Sequence, residues 1–280
     1  MSIIERNNKI WKIQEFYNLV NEFEEDICDA IEKYDIKDEL DYNNILLLIA
    51  GKAIITSREI CCLSANGFAD GSMSIARTLY ELFIIVSFFD IHKTDSNFDD
   101  YINDYYCDYY KTNNDYYWYI ASKQGYDDLK ESISKSKENM KKEAIHKVRG
   151  NYWWTGFERL SEVVDNVQKS IINRTDLLIY QRAEMLYKKA CTILHPNCFS
   201  NIWRIGFENK YQGINTRPTT NGHGYPLEFA SISLITISKI VCEQIGIESD
   251  KYYNGFYELA GYYIKKNNDF ENSENNDISE

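Results

Sequence analysis

Only 3 prolines interrupt a chain of 280 residues. A proline inside a helix removes a backbone hydrogen bond and clashes with the preceding turn. Their scarcity leaves long, uninterrupted helices as the natural fold. Periodicity agrees from the start of the chain. Ile13, Phe16, Val20, Phe23, Ile27 and Ile31 follow the three-and-four spacing of one helix face. "DIKDELDYNN" then breaks the pattern. A second helix is predicted from about Asn44 to Ala65, capped by Asn66-Gly67. A third follows over Ala69–Ile91. Between Leu82 and Phe89 it is apolar almost all round, which predicts the most buried helix of the fold.

Further along, "NFDDYINDYYCDYYKTNNDYYWYIASKQG" reads as a tyrosine-rich helix, followed by a lysine-rich one. Helices are predicted again over Glu158–Ser170, Thr175–Leu194, Leu227–Ile245 and Lys251–Lys266. Residues 195–226 hold all three prolines and read as a long irregular stretch, a length that is uncommon and often functional. The tail 267–280 is acidic and polar, and is expected to be disordered. No internal repeat and no strand hairpin is evident. The fold class is therefore all-α: a single helical bundle of about eight to nine helices over residues 1–266, with a buried central helix and a projecting tyrosine-rich helical hairpin.

A net charge of -12 gives the chain no broad field for nucleic acid. The local exception is Lys130–Arg149. Glu131, Glu138 and Glu143 dilute it, and it reads as a solvated helix face. The 7 cysteines are scattered, with no CxxC pair, which points to reduced thiols in a cytoplasmic protein. Neither they nor the 4 histidines form a metal-ligand pattern, so no metal and no cofactor is expected. No signal peptide is visible. No stretch reads as the roughly 20 apolar residues that span a bilayer, so no membrane association is expected.

The candidate site begins with Arg77 and Glu81. At i and i+4 they meet on one helix face, above an apolar stripe of Ile84, Ile85 and Phe88. Placing two charges beside apolar surface demands good geometry and further partners. The pair is either a structural tie or a polar site, and the spacing leaves both open. His195 ends the helix "YQRAEMLYKKACTILHPN". It either satisfies the free carbonyls of the last turn or serves as a general acid or base near neutrality. Tyr187 and Cys191 lie two turns and one turn earlier on the same face. Tyr187, Trp153, Trp154 and Asn197 are the accompanying binding candidates. The two tryptophans serve either as core anchors or as stacking platforms. Arg217 and His223 match an Arg-x(4–6)-His spacing, but Pro218 and Gly222 place them in a loop where coincidence explains the match.

Three segments carry a family resemblance. "ARTLYELFIIVSFF" resembles the R-x-x-x-E helix of the bacterial domain of unknown function 5677 (DUF5677). "YWWTGF" resembles its aromatic segment, and "YQRAEMLYKKACTILHPN" its Tyr…His helix, with Thr192 where the family pattern has Ser. They occur in the family's order and cover a core of about residues 67–200. The resemblance implies an all-α intracellular bacterial protein, distantly similar to HEPN-type helical domains. Those include metal-independent ribonucleases of toxin and phage-defence systems. Two expectations follow. As an enzyme acting on RNA, the chain would use His195 as base, Arg77 to carry phosphate charge and Glu81 to hold Arg77, often in a homodimer. As a binding or scaffold protein, it would bury those three as a structural network and present its Tyr105–Tyr119 surface to a protein partner.

Overall fold

A computed structural model of the chain describes residues 1–33, 41–146, 151–194, 205–206, 213–214 and 222–277. Among them the architecture is helical: α1 (Ile3–Trp11), α2 (Ile13–Lys33), α3 (Tyr42–Ala65), α4 (Ala69–His92), α5 (Phe98–Gln124), α6 (Asp127–Glu143), α7 (Leu160–Ser170), α8 (Arg174–Leu194), α9 (Gly224–Ile245) and α10 (Asp250–Asp277), with a 3-10 turn at Trp153–Thr155. That is ten α-helices among the described residues, more than the sequence predicts. The extra one comes from the N-terminus. Ser2 and Glu5 form a reciprocal cap on α1, and Lys12 adopts a left-handed φ of 48° that separates α1 from α2. A second departure is a short antiparallel ladder, β1 (Ile205–Gly206) with β2 (Gly213–Ile214), inside the stretch read as irregular.

The chain divides into two compact units. One comprises Met1–Ile36, Leu46–Ser87 and Ile171–Glu280; the other Lys37–Ile45 and Phe88–Ser170. The sequence reading instead groups residues 1–266 together.

In the first unit, Ile13, Phe16, Val20, Phe23 and Ile27 of α2 are all buried, as their spacing requires. The most buried helix is α9, not α4. Within Gly224–Cys242 only Tyr225, Thr236 and Lys239 escape burial. The sequence hides this because Ser231, Ser233 and Ser238 make the segment look amphipathic. In the structure Ser233 donates its hydroxyl to the Phe229 carbonyl at 2.9 Å and needs no water. Pro226 does not delay the helix either, since first-turn N–H groups have no intrahelical acceptor.

The tail also differs from expectation. α10 continues to Asp277, and Asn267, the first residue of the expected tail, is buried. Its Nδ2 donates to Glu228 of α9 at 2.7 Å. A Cβ on Gly224 would stand 2.0 Å from Asn267 Oδ1 and 2.6 Å from Trp11, so only glycine lets α9 begin there.

α4 and α9 are both long and apolar enough to cross a membrane by length and composition, contrary to the sequence reading. Burial of 61% and 83% of their most apolar stretches inside the protein marks them as core helices.

In the second unit, α5 and α6 form the expected helical hairpin, turned by Gly125 at a φ of 75°. Its aromatic surface is divided. Tyr105 is largely buried, while Tyr116, Tyr117 and Tyr119 are exposed.

Candidate functional site

α4 and α8 bring three of the predicted residues together. Arg77 Nε lies 3.6 Å from Glu81 Oε1, and the guanidinium stands 5.2 Å from the centre of the Tyr187 ring. Tyr187 in turn stacks on Tyr80 at 4.6 Å, and Tyr80 packs on Phe229 of α9. The phenol ring is thus a fixed shelf beneath the cation, an arrangement worth about 0.5–1 kcal/mol at a partly exposed site. Lower on the same helices, Tyr180 donates to Ser87 at 2.6 Å and packs against Phe83.

Both members of the ion pair keep about a third of their side chain in solvent, 35% for Arg77 and 36% for Glu81. The cluster is open, not sealed. Arg77 Nε itself is buried and lacks a hydrogen bond to any described residue. Burial opposes the charge of Arg77, but Tyr187, Cys191 and Glu81 more than offset it, raising its pKa above the ordinary value. The Tyr187 phenol is also held above its usual range. Burial is the main cause, Cys191 and Glu81 add to it, and Arg77 works against it. The site therefore keeps a guanidinium charged and a phenol protonated, side by side and reachable from water.

His195 and Asn197 lie outside the described residues, as does Arg217. α8 is helical to Leu194, the residue before His195. His223 is buried at the head of α9. Trp153 and Trp154 belong to the second unit and are core anchors. Trp154 stacks on Phe89 at 5.2 Å and meets Phe88 and Tyr105 edge-on. Trp153 donates its indole N–H to Asp108 at 2.5 Å. Both are buried, and of the two roles the sequence allows them, their packing is that of core anchors. An aromatic run in sequence fits either role, and burial decides between them.

Residues 43–212 match the family described as Family of unknown function (DUF5677). The chain belongs to it. The match begins earlier and ends later than the core of residues 67–200 read from motifs, and runs from the start of α3 past β1, stopping just before β2. No curated protein and no solved structure matches the chain.

Within the segment of this DUF5677 protein that matches the family lies a second polar centre, which sequence reasoning missed. Asp104 of α5 is fully buried. It accepts the backbone N–H of Ile145 at 2.9 Å, the backbone N–H of His146 at 2.7 Å and the His146 ring Nδ1 at 2.8 Å. Asn103 Nδ2 approaches at 3.4 Å. The His146 ring lies flat on Tyr101, 5.1 Å between centres and 6° between planes. On α4, His92 meets the same tyrosine ring, with Nδ1 on Asp95 at 2.6 Å and Nε2 on Asn166 at 3.0 Å. No spacing rule joins residues 42 positions apart, as Asp104 and His146 are. The one available signal was a tyrosine-rich helix carrying an aspartate at a buried position of its apolar face.

Proposed function

We propose that this DUF5677 protein acts on a phosphate-bearing ligand at the Arg77–Glu81–Tyr187 cluster, as a cytoplasmic, metal-independent ribonuclease of the HEPN-like kind associated with toxin and phage-defence systems. The observation that carries the reading is the openness of the cluster. A pair that served only as an internal tie would gain most from being sealed and fully bonded. Here a charged guanidinium, backed by an aromatic shelf, reaches solvent with one buried donor unfilled. Such an arginine suits the oxygens of a phosphodiester.

In this reading His195, next in the chain after α8, takes the proton from a ribose 2′-OH. The 2′-oxygen attacks the adjacent phosphorus and the bond to the 5′-oxygen breaks, leaving a cyclic phosphate and a 5′-hydroxyl that takes its proton from water. Arg77 carries the charge that gathers on the phosphoryl oxygens, and Glu81 holds Arg77 in place. The direct test is cleavage of labelled single-stranded RNA by purified protein in excess chelator. Cleavage lost in both Arg77→Ala and His195→Ala, with melting temperatures unchanged, supports the reading. Cleavage that neither substitution affects would sink it.

A second reading has its own support in the α5–α6 hairpin. Tyr116, Tyr117 and Tyr119 stand at least half exposed, and Trp118 is also accessible. Tyrosine and tryptophan are enriched at interfaces between proteins. In that reading the hairpin engages a protein partner or a second copy of the chain. Its test is binding lost on replacing Tyr116 and Tyr119 while the helical content is kept.

A further inference from the structure

α3 carries an outward face that its own unit does not explain. Leu48, Gly51, Lys52, Ile55, Glu59 and Cys62 share one side of that helix by their three-and-four spacing. All six lie in the first compact unit. Leu48 is 67% exposed and Ile55 53%. Cys62, Lys52 and Glu59 are exposed with them. The outward side of a surface helix is ordinarily polar. α2, in the same unit, shows the ordinary case and turns Gln14, Glu15, Asn18, Glu22 and Glu25 to water. From Leu48 to Cys62, about four turns or roughly 21 Å of helix, α3 instead interleaves apolar side chains with single charges. Gly51 adds a separate observation. A glycine in mid-helix weakens the helix relative to alanine. Close neighbours require the glycine at Gly224, but a Cβ on Gly51 would meet nothing within 4 Å. The chain's own packing therefore has no need of a glycine at this position. A second backbone drawn close to α3 would need one.

The two charges identify what that backbone is. Lys52 and Glu59 form no ion pair among the described residues, whereas Arg58 beside them is held by Glu24. They stand seven residues apart on one edge of the face. When a copy of α3 is turned end for end about an axis near Ile55, the partner's Glu59 comes opposite Lys52. The partner's Lys52 comes opposite Glu59 by the same rotation. Ile55 then meets the partner's Ile55 near the axis. On the other edge Gly51 meets the partner's Cys62, where two small residues let the helices approach. A face that completes its own charges under a two-fold rotation fits a second copy of the chain. At a net charge of -12 two copies repel at long range, so local charge pairing decides which faces meet.

We propose that the outward face of α3 is a self-association surface, on which two copies of the chain pair antiparallel through Leu48, Ile55 and a reciprocal exchange of Lys52 and Glu59. It uses none of the residues of the Arg77 cluster or of the α5–α6 hairpin. It therefore stands or falls apart from RNA cleavage and from hairpin binding.

The test measures the mass of the full chain by sedimentation over about 1–200 µM, the range in which a small interface of one helix pair dissociates. A reducing buffer keeps the exposed Cys28 and Cys62 from cross-linking copies. The expected result is a reversible dimer. Ile55→Glu abolishes it without changing the circular dichroism spectrum, since the side chain is exposed. Lys52→Glu alone and Glu59→Lys alone each weaken it by roughly tenfold or more. Mixing those two variants restores a one-to-one dimer, because each then meets opposite charges on the other. The double variant Lys52→Glu/Glu59→Lys again pairs with itself. A chain monomeric at the highest concentration overturns the proposal. So does a dimer that Ile55→Glu leaves intact, or one that is lost instead on replacing Tyr116 and Tyr119 of the hairpin. Failure of the two single-charge variants to pair on mixing overturns it equally.

Discussion

Two arginine–glutamate pairs in the first unit look alike in composition and differ in almost everything else. Arg77 and Glu81 are neighbours on α4, separated by 3.6 Å, and both reach solvent. Arg182 of α8 and Glu228 of α9 are 46 residues apart in sequence and 2.5 Å apart in space. Glu228 has no exposed surface, and Asn267 of α10 supplies a further hydrogen bond. Water weakens the first pair's attraction and also removes most of the penalty for breaking it. The second pair sits where a stranded charge has nothing to solvate it. The pair that sequence spacing reveals is thus the one with less to do with stability, and that frees it for binding.

The largest expected effect is at Arg182. Arg182→Ala strands the buried Glu228 carboxylate and should destabilise the protein by about 3–5 kcal/mol, read from urea unfolding. A loss below about 1 kcal/mol would mean that the two pairs are equivalent, and the comparison fails. Gly224→Ala comes next. Its methyl collides with Asn267 and Trp11, and should cost about 1–3 kcal/mol unless α10 shifts. Glu81→Ala should change stability by less than about 1 kcal/mol, an effect that added salt erodes further. Raising the salt concentration should leave the Arg182→Ala deficit nearly intact. Arg77→Ala sharpens the contrast in function. It should leave the melting temperature close to wild type while weakening retention of single-stranded RNA in a filter-binding assay. Unchanged retention would confine Arg77 to a structural role.

Outside the first unit's ion pairs, Asp108 offers a smaller check. Burial raises its pKa, against the opposing effects of Trp153 and Lys111. The folded protein therefore favours the protonated acid, and stability from this group falls as pH rises through the raised value. Asp108→Asn should raise the melting temperature slightly at neutral pH. The gain should vanish in acid, where both side chains are neutral.

Local pattern explains what the sequence made legible. Helix type and order follow from three prolines and apolar spacing, and α3, α4, α7 and α8 begin and end within about two residues of expectation. Arg77, Glu81 and Tyr187 were legible because one turn or two turns of helix set their faces. The misses are all long-range. Nothing local says that Ser231 and Ser233 face protein instead of water, so α9 was ranked below α4. Polar composition suggested that the chain beyond Lys266 has no fold, yet its first residue is tied to a carboxylate 39 positions earlier. Asp104 and His146 meet only because the α5–α6 hairpin returns the chain to its starting point.

The contact between Asn267 and Glu228 bears on how the chain can be handled. Composition alone recommends trimming everything after Lys266 to obtain a smaller, better-behaved protein. Such a cut would remove the amide that meets Glu228 and open the crevice over Gly224 to water. The safe place to shorten or tag this polypeptide lies beyond its last helix.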